Sequence, residues 1–226
     1  MLTRIRIGMA AAALLAALGG ATAATIGDPA LQVRNPKLKI QWAGDQNGTP
    51  PFDKVLLAPV ELDFRPAAAP VGVYRASANQ SEYPVSEQDR EELRAAFTEI
   101  FREELGKSKS FALADQTGPG VLLVKPALRD IVSRVPPEEP PGHSAVFVDT
   151  VGDATLVVHL VDPTTETTLG TAIDRRTAEP VGMAGNFGAV RATKPMTSQE
   201  IRRLLRRWAV NLDKRLEQLY FEAKPR

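Results

Sequence analysis

Apolar positions recur at helical spacing in two stretches of the chain. Leu93, Phe97, Ile100, Phe101 and Leu105 form one stripe; Ile201, Leu204, Leu205, Trp208, Leu212, Leu216 and Leu219 form the other. Each predicts an amphipathic helix with one face on a core. Start signals precede both. Ser86 with Asp89 three residues on, and Thr197 with Glu200, match a capping box. Glu87, Asp89, Glu91 and Glu92 load the first turns of the earlier helix with negative charge, which suits the dipole, and Gly106 ends it. The second helix runs to Tyr220.

Between and before the helices the period drops to two. Val55 to Leu62 is a short apolar run whose Pro59 cannot donate to a ladder, which predicts a strand with a bulge or an unpaired side there. Phe111 to Ala114 reads as a short strand. Another opens at Val121 and reaches toward Val135, with Leu122, Val124 and Leu128 on one face and Lys125 and Arg129 on the other. Pro126 marks that strand as an edge or a bulge. Ala154, Leu156, Val158 and Leu160 alternate with Thr155, Val157, His159 and Val161. After a turn at Asp162 to Glu166, the alternation continues through Leu169, Thr171 and Ile173, which predicts a hairpin. The order β-α-β-β-β-β-α predicts an α+β two-layer sandwich: a mostly antiparallel sheet with two amphipathic helices.

The chain opens differently. Arg4 and Arg6 precede an unbroken apolar run from Ile7 to Leu18, followed by Gly19-Gly20 and Ala21-Thr22-Ala23. This is the pattern of a secretory signal peptide cleaved near Ala23. The run of about 12 residues is short beside the roughly 20 of a spanning helix, so the mature chain is expected to have no transmembrane segment. Residues 24–51, broken by Gly and Pro, read as an extended or poorly ordered leader, and residues 52–222 as one domain. The expected location is periplasmic or secreted.

Composition removes several classes of function. The chain has no cysteine, which excludes thiol nucleophiles and thiolate metal sites and leaves the fold to packing alone. Its formal net charge is +1, so no global pull toward nucleic acid follows. His143 and His159 are the two histidines, and no convergent ligand spacing surrounds either. No G-x-S-x-G elbow supports the neighbouring Ser144 as a nucleophile. Gly118-Pro119-Gly120 lacks the strand–loop–helix context of a phosphate cradle and reads as a turn. Neither catalytic nor metal residues nor a cofactor are expected.

Two charged groups stand out as a candidate interaction surface. In Asp174-Arg175-Arg176, alternation puts Asp174 and Arg176 on one side of the hairpin and Arg175 on the other. Such a group reads as a sheet-edge ion-pair cluster or as an anion site. Arg202, Arg203, Arg206 and Arg207 make a basic stripe beside the apolar face of the last helix. The first helix is acidic through Glu91, Glu92, Glu99, Glu103 and Glu104, so the two helices could instead lie side by side with complementary charge.

Particular runs carry a resemblance. Phe52 to Val60, Gln116 to Leu122, Val161-Asp162-Pro163 with Ala172 to Arg176, and the helix containing Trp208 together resemble the bacterial envelope family known as domain of unknown function 3313. The resemblance covers about residues 52–220. It implies an exported lipoprotein without an assigned activity. Ala21 to Thr25 contains no Cys to carry a lipid, so no lipid anchor is expected here.

These features lead to a non-catalytic binding or assembly module of the bacterial cell envelope. Its expected partner is another envelope protein or an anionic envelope component, and not nucleic acid. Two other readings compete. One is an exported hydrolase using His143 or His159 with Asp149 or Asp174. The other is a carrier of a small apolar or lipid ligand, with the glycine-containing loop at 179–196 as a lid.

Overall fold

The computed structural model describes residues 39–42, 52–67, 82–136, 147–179 and 190–222. Along them run β1 (Lys39–Trp42), β2 (Lys54–Leu57), β3 (Glu61–Phe64), α1 (Glu87–Leu105), β4 (Ala112–Ala114) and β5 (Val121–Ser133). Then follow β6 (Phe147–Val148), β7 (Gly152–Asp162), β8 (Thr167–Ala178), β9 (Val190–Arg191) and α2 (Lys194–Glu222). The signal-peptide pattern, His143, Ser144 and residues 180–189 of the glycine-containing loop lie outside the described residues.

Helix α1 begins as its sequence predicts. The Ser86 hydroxyl accepts the Asp89 amide at 3.1 Å and donates to the Asp89 carboxylate at 2.6 Å. Gly106 closes it in a right-handed conformation, so its glycine serves close approach: a Cβ there would lie 2.9 Å from the Arg102 carbonyl. Helix α2 starts earlier than expected. Thr193 is the residue before it; its hydroxyl accepts the Met196 amide at 3.4 Å and its carbonyl the Thr197 amide at 2.9 Å. Pro195 sits in the first turn, where a missing amide costs nothing. Thr197 is therefore inside the helix, and Glu200 is buried against Arg203 at 2.6 Å instead of closing a capping box.

The main sheet has the order β1-β8-β7-β5-β2-β4, with β3 also on β5. Its long ladders, β5 with β7 and β7 with β8, are antiparallel, as is β1 with β8. β2 pairs with β4 and β5, and β3 with β5, in parallel. That parallel side needs a long crossover, which α1 supplies between β3 and β4. The single strand expected from Val55 to Leu62 is cut at Ala58-Pro59-Val60 into β2 and β3, and both halves pair with β5. β5 is thus central, so of the edge or bulge that Pro126 implied the edge is excluded, while a bulge is present further along, between Arg129 and Val132. The Ala58 amide donates to the Val124 carbonyl at 2.9 Å. Pro126, two residues on, turns its missing donor toward the same side, at the break between β2 and β3. The stretch read as a leader includes β1, an extended segment on β8.

Both helices cover one face of the sheet, which gives the two-layer α+β sandwich. Phe97, Ile100, Phe101 and Leu105 of α1 and Leu204, Leu205, Trp208, Leu212 and Leu216 of α2 are buried against Leu122, Val124, Leu128, Leu156, Val158 and Leu160. Phe97 and Phe101 stack, with ring centroids 3.8 Å apart. The helices run parallel, since Arg202 meets Glu99, Arg206 meets Glu103, and Glu217 meets Ser108.

The hairpin holds, with one correction to its faces. The register between β7 and β8 shifts between Leu160 and Val161, opposite Leu169. Beyond that bulge, Ala172 and Asp174 stand opposite Val158 and Leu156 and share their helix-facing side, while Thr171 and Ile173 turn away. The alternation Leu169-Thr171-Ile173 is therefore not one face, and an aspartate enters the core.

One half-buried carboxyl makes the fold sensitive to pH. Asp213 has an Oδ1 that is buried without a hydrogen-bond partner among the described residues. Burial, then the Glu217 charge, push its carboxyl from an ordinary 3.8 up to about 6. A group with a raised folded value stabilises fully below its unfolded value and loses that contribution as pH rises through the folded one. Stability from Asp213 is thus present below about pH 4 and lost by about pH 7. Asp213→Asn is expected to raise stability at pH 7 by about 1–2 kcal/mol after allowance for solvent screening. Denaturant titrations at pH 5 and pH 7 check this: an unchanged pH slope in the variant would refute it.

Candidate functional site

Asp174 is fully buried, with 0% exposure, between β8 and α2. A charge there is costly unless paired. Its Oδ2 accepts the Trp208 indole N–H at 2.9 Å and the Arg176 Nε–H at 2.6 Å. Trp208 is 1% exposed, so the core itself fixes the carboxylate, and the carboxylate fixes Arg176. Asp174 and Arg176 share the helix-facing side, as alternation predicts.

Arg176 forms one wall of a cleft of about 290 Å³, whose other lining residues are Arg206, Arg207, Val210 and Asn211 of α2. Two separate sequence signals, the hairpin arginine and the helix stripe, therefore meet at one place. The stripe divides. Arg202 makes a two-pronged pair with Glu99, at 2.6 and 3.1 Å. Arg203 pairs with the buried Glu200, and Arg206 reaches Glu104 at 3.2 Å and Glu103 at 3.4 Å. Lys107 shares both of those glutamates at 3.0 Å. Complementary charge between the helices is thus present, and it engages Arg202 and Arg206. Arg207 has no carboxylate partner among the described residues and opens on the cleft.

Arg175 belongs to a different place. It lies on the face away from the helices and donates to Asp130 Oδ2 at 2.5 Å and to the buried Thr155 hydroxyl at 3.2 Å. Asp130 sits in the left-handed region, φ 52°, where β5 bulges between Arg129 and Val132. Arg65 grips the same carboxylate through two bonds of 2.8 and 2.7 Å, and reaches Glu82 at 2.8 Å. Burial would raise the Asp130 carboxyl, but Arg65 and Arg175 outweigh it and hold it below the usual carboxylate range. This cluster ties the end of β3, the bulge and β8 together. The sequence marks only Arg175 of this cluster, because Asp130 stands 45 residues from it and Arg65 another 65 residues from Asp130.

His159 lies exposed on that same outer face, with Nδ1 3.1 Å from the Thr171 hydroxyl. Partial desolvation of the ring against the sheet, then the neighbouring Arg129 charge, lower its pKa; Glu61 opposes the shift and Lys125 adds to it. Asp174 lies on the opposite side of the sheet, so the two cannot act together. Of the loop proposed as a lid, residues 180–189 lie outside the described residues, while Val190–Arg191 form β9 and Lys194–Met196 the first turn of α2. Among the described residues, no group of three or more His, Asp or Glu side chains could hold a metal ion, and no helix is long and apolar enough to cross a membrane.

Val210 and Asn211 line the cleft, and Trp208 supports it from the core through Asp174; none of the three is marked as a site residue by the sequence. Trp208 looked like core, and Asn211 carried only its position one turn beyond Arg207.

No curated protein matches the chain. Among solved structures it is similar to protein XCC0632 from Xanthomonas campestris, at 12% identity over 75% of this chain and 87% of that one, TM-score 0.40. It is also similar to the PelC dodecamer from Paraburkholderia phytofirmans, at 11% identity over 76% and 97%, TM-score 0.34. The hypothetical protein CT253 from Chlamydia trachomatis matches at 11% identity over 74% and 98%, TM-score 0.37. Likeness of this degree carries no conclusion about the cleft. The family resemblance is borne out: the model described as protein of unknown function, DUF3313, matches residues 45–204, which takes in the opening strand and the hairpin and ends before Trp208, and the chain belongs to that family.

Proposed function

We propose that the protein is an exported, non-catalytic binding or assembly module of the bacterial cell envelope, and that its cleft between β8 and α2 receives an anionic envelope component. The observation that carries this reading is the anchored arginine cleft. Arg176, Arg206 and Arg207 line one opening, and a buried Asp174 with Trp208 holds the first of them in place. Holding a guanidinium in advance lowers the ordering cost of binding. The apolar run behind Arg4 and Arg6 supports export. Guanidinium groups supply recognition and no nucleophile or general base, which agrees with binding alone.

The test is a photoreactive side chain at Val210 in the full chain, expressed in a bacterial host and irradiated in whole cells. Adducts are expected in the envelope fraction, with their yield falling several-fold when Arg207→Glu is added. Arg207 suits this change because no pair in the described fold depends on it. Recovery of the chain from the cytoplasm, or adduct yields indifferent to Arg207→Glu, would overturn the reading.

A further inference from the structure

We infer that the cleft between β8 and α2 recognises a phosphate group, presented on a small molecule or on a lipid headgroup. This deepens the binding-module reading above and rests on it.

The geometry distinguishes among anions. A carboxylate has two oxygens in one plane and is satisfied by a single guanidinium fork. Here the guanidinium groups come from two elements, Arg176 from the sheet and Arg206 and Arg207 from adjacent positions on the helix, with the Asn211 amide one turn further. Guanidinium groups brought to one opening from two elements suit a tetrahedral anion, whose oxygens point in several directions. Asn211 adds a neutral donor, and Val210 gives an apolar contact for the carbon atoms next to the phosphate. At about 290 Å³ the opening has room for the phosphate and the first part of its carrier.

The charge balance agrees. Asp174 offsets Arg176, while Glu103 and Glu104 are shared between Arg206 and Lys107. Arg207 is the cation left over among the described residues lining the cleft. The other two arginines are held by carboxylates that also restrict their motion. Two groups are thus prearranged, and the third supplies the uncompensated charge. An Asp in the core without this task would be poor design for stability, since an apolar residue of similar volume packs as well at less cost. Its retention fits a positioning role for Arg176.

The experiment uses the full chain, titrated with inorganic phosphate against chloride at matched ionic strength and followed by the arginine Nε–H and Trp208 indole N–H resonances. A second arm measures co-sedimentation with phosphatidylglycerol-containing vesicles against pure phosphatidylcholine vesicles. Phosphate is expected to move the Arg176, Arg206 and Arg207 signals together. Arg207→Ala is expected to weaken binding about tenfold or more, the loss of a charged hydrogen-bond donor, with the Trp208 signal unchanged as a check on folding. Binding to inorganic phosphate alone assigns a soluble phosphate ester; added selectivity for phosphatidylglycerol assigns a headgroup. If neither arm responds, or if Arg207→Ala binds as the unaltered chain does, the phosphate assignment is wrong. Adducts at Val210 that depend on Arg207 would then still leave the envelope module standing, with a different anion in the cleft.

Discussion

Asp174→Ala is expected to destabilise the fold by about 3 kcal/mol, the size seen when one partner of a buried ion pair is removed. The loss has two parts. Trp208 keeps an indole N–H in the core with no acceptor, since Oδ2 of Asp174 is its partner at 2.9 Å. Arg176, whose side chain is only 18% exposed, loses the carboxylate bound to its Nε. The cleft lets Arg176 turn partly toward water, which keeps the cost at the lower end of the range. For a chain of this length about 3 kcal/mol corresponds to a fall in Tm of about 6–12 °C. Asp174→Asn retains an acceptor without the charge and is expected to cost about 1 kcal/mol. Equilibrium urea unfolding at constant m measures both. The double replacement Asp174→Leu with Arg176→Met is expected to recover stability, because hydrophobic residues of similar volume commonly match or exceed a buried pair. If Asp174→Ala unfolds at the same urea concentration as the unaltered chain, the carboxylate does not anchor the cleft.

The two helices and the hairpin were legible because each is a local pattern. Ser86 with Asp89, and the stripe from Leu93 to Leu105, lie within one element and report one face. The pairing of Asp174 with Arg176 was legible for the same reason, as alternation along one strand. Their direction was not. The bulge at Leu169 shifts the register of β8 by one residue, and a one-residue slip exchanges the two faces of a strand. No residue type there marks it. Pro126 leaves an edge and a bulge open, and only the pairing shows that the strand is central. The missing amide of Pro126 faces a break between two partner strands, a gap created by Pro59 some 67 residues earlier in the chain. The parallel side of the sheet was likewise hidden, because pairing β2 with both β4 and β5 is a choice made by the crossover and not by the strands. Of the cleft, the charged residues were visible and their meeting was not. Arg176 and Arg207 belong to different elements, and only the packing of Trp208 against Asp174 brings them to one opening. The same packing explains why the arginine stripe could not be partitioned in advance. Which of four neighbouring arginines finds a glutamate depends on the offset between two parallel helices.

Gly152→Ala is expected to cost about 3 kcal/mol, although the residue lies far from any chemistry and carries no positive φ. Gly152 opens β7 and stands between Ser133 of β5 and Ala178 of β8. A Cβ there would lie 2.1 Å from the Val132 carbonyl oxygen and 3.2 Å from its carbon, both backbone atoms that no side-chain rotation can move. Relief requires the end of β5 or the start of β7 to shift. Both are held on either side: the Val151 amide donates to the Ala178 carbonyl at 2.8 Å, and the Arg134 amide to the Val151 carbonyl at 2.9 Å. Asp153 is further tied to Thr177 at 2.6 Å and Arg134 at 3.1 Å. A shift would also disturb the bulge that sets Asp130 against Arg65 and Arg175. Overpacking of this kind costs about 1–3 kcal/mol and more where backbone must move. Gly118 supplies the control, since a Cβ there would meet nothing within 4 Å. Gly118→Ala is therefore expected to change stability by less than about 0.5 kcal/mol. Urea unfolding of the two variants side by side measures the contrast. Equal midpoints would mean that the edge of the β5–β7 ladder yields freely, and that the close approach at Gly152 contributes nothing to the register on which the Asp174 side of the hairpin depends.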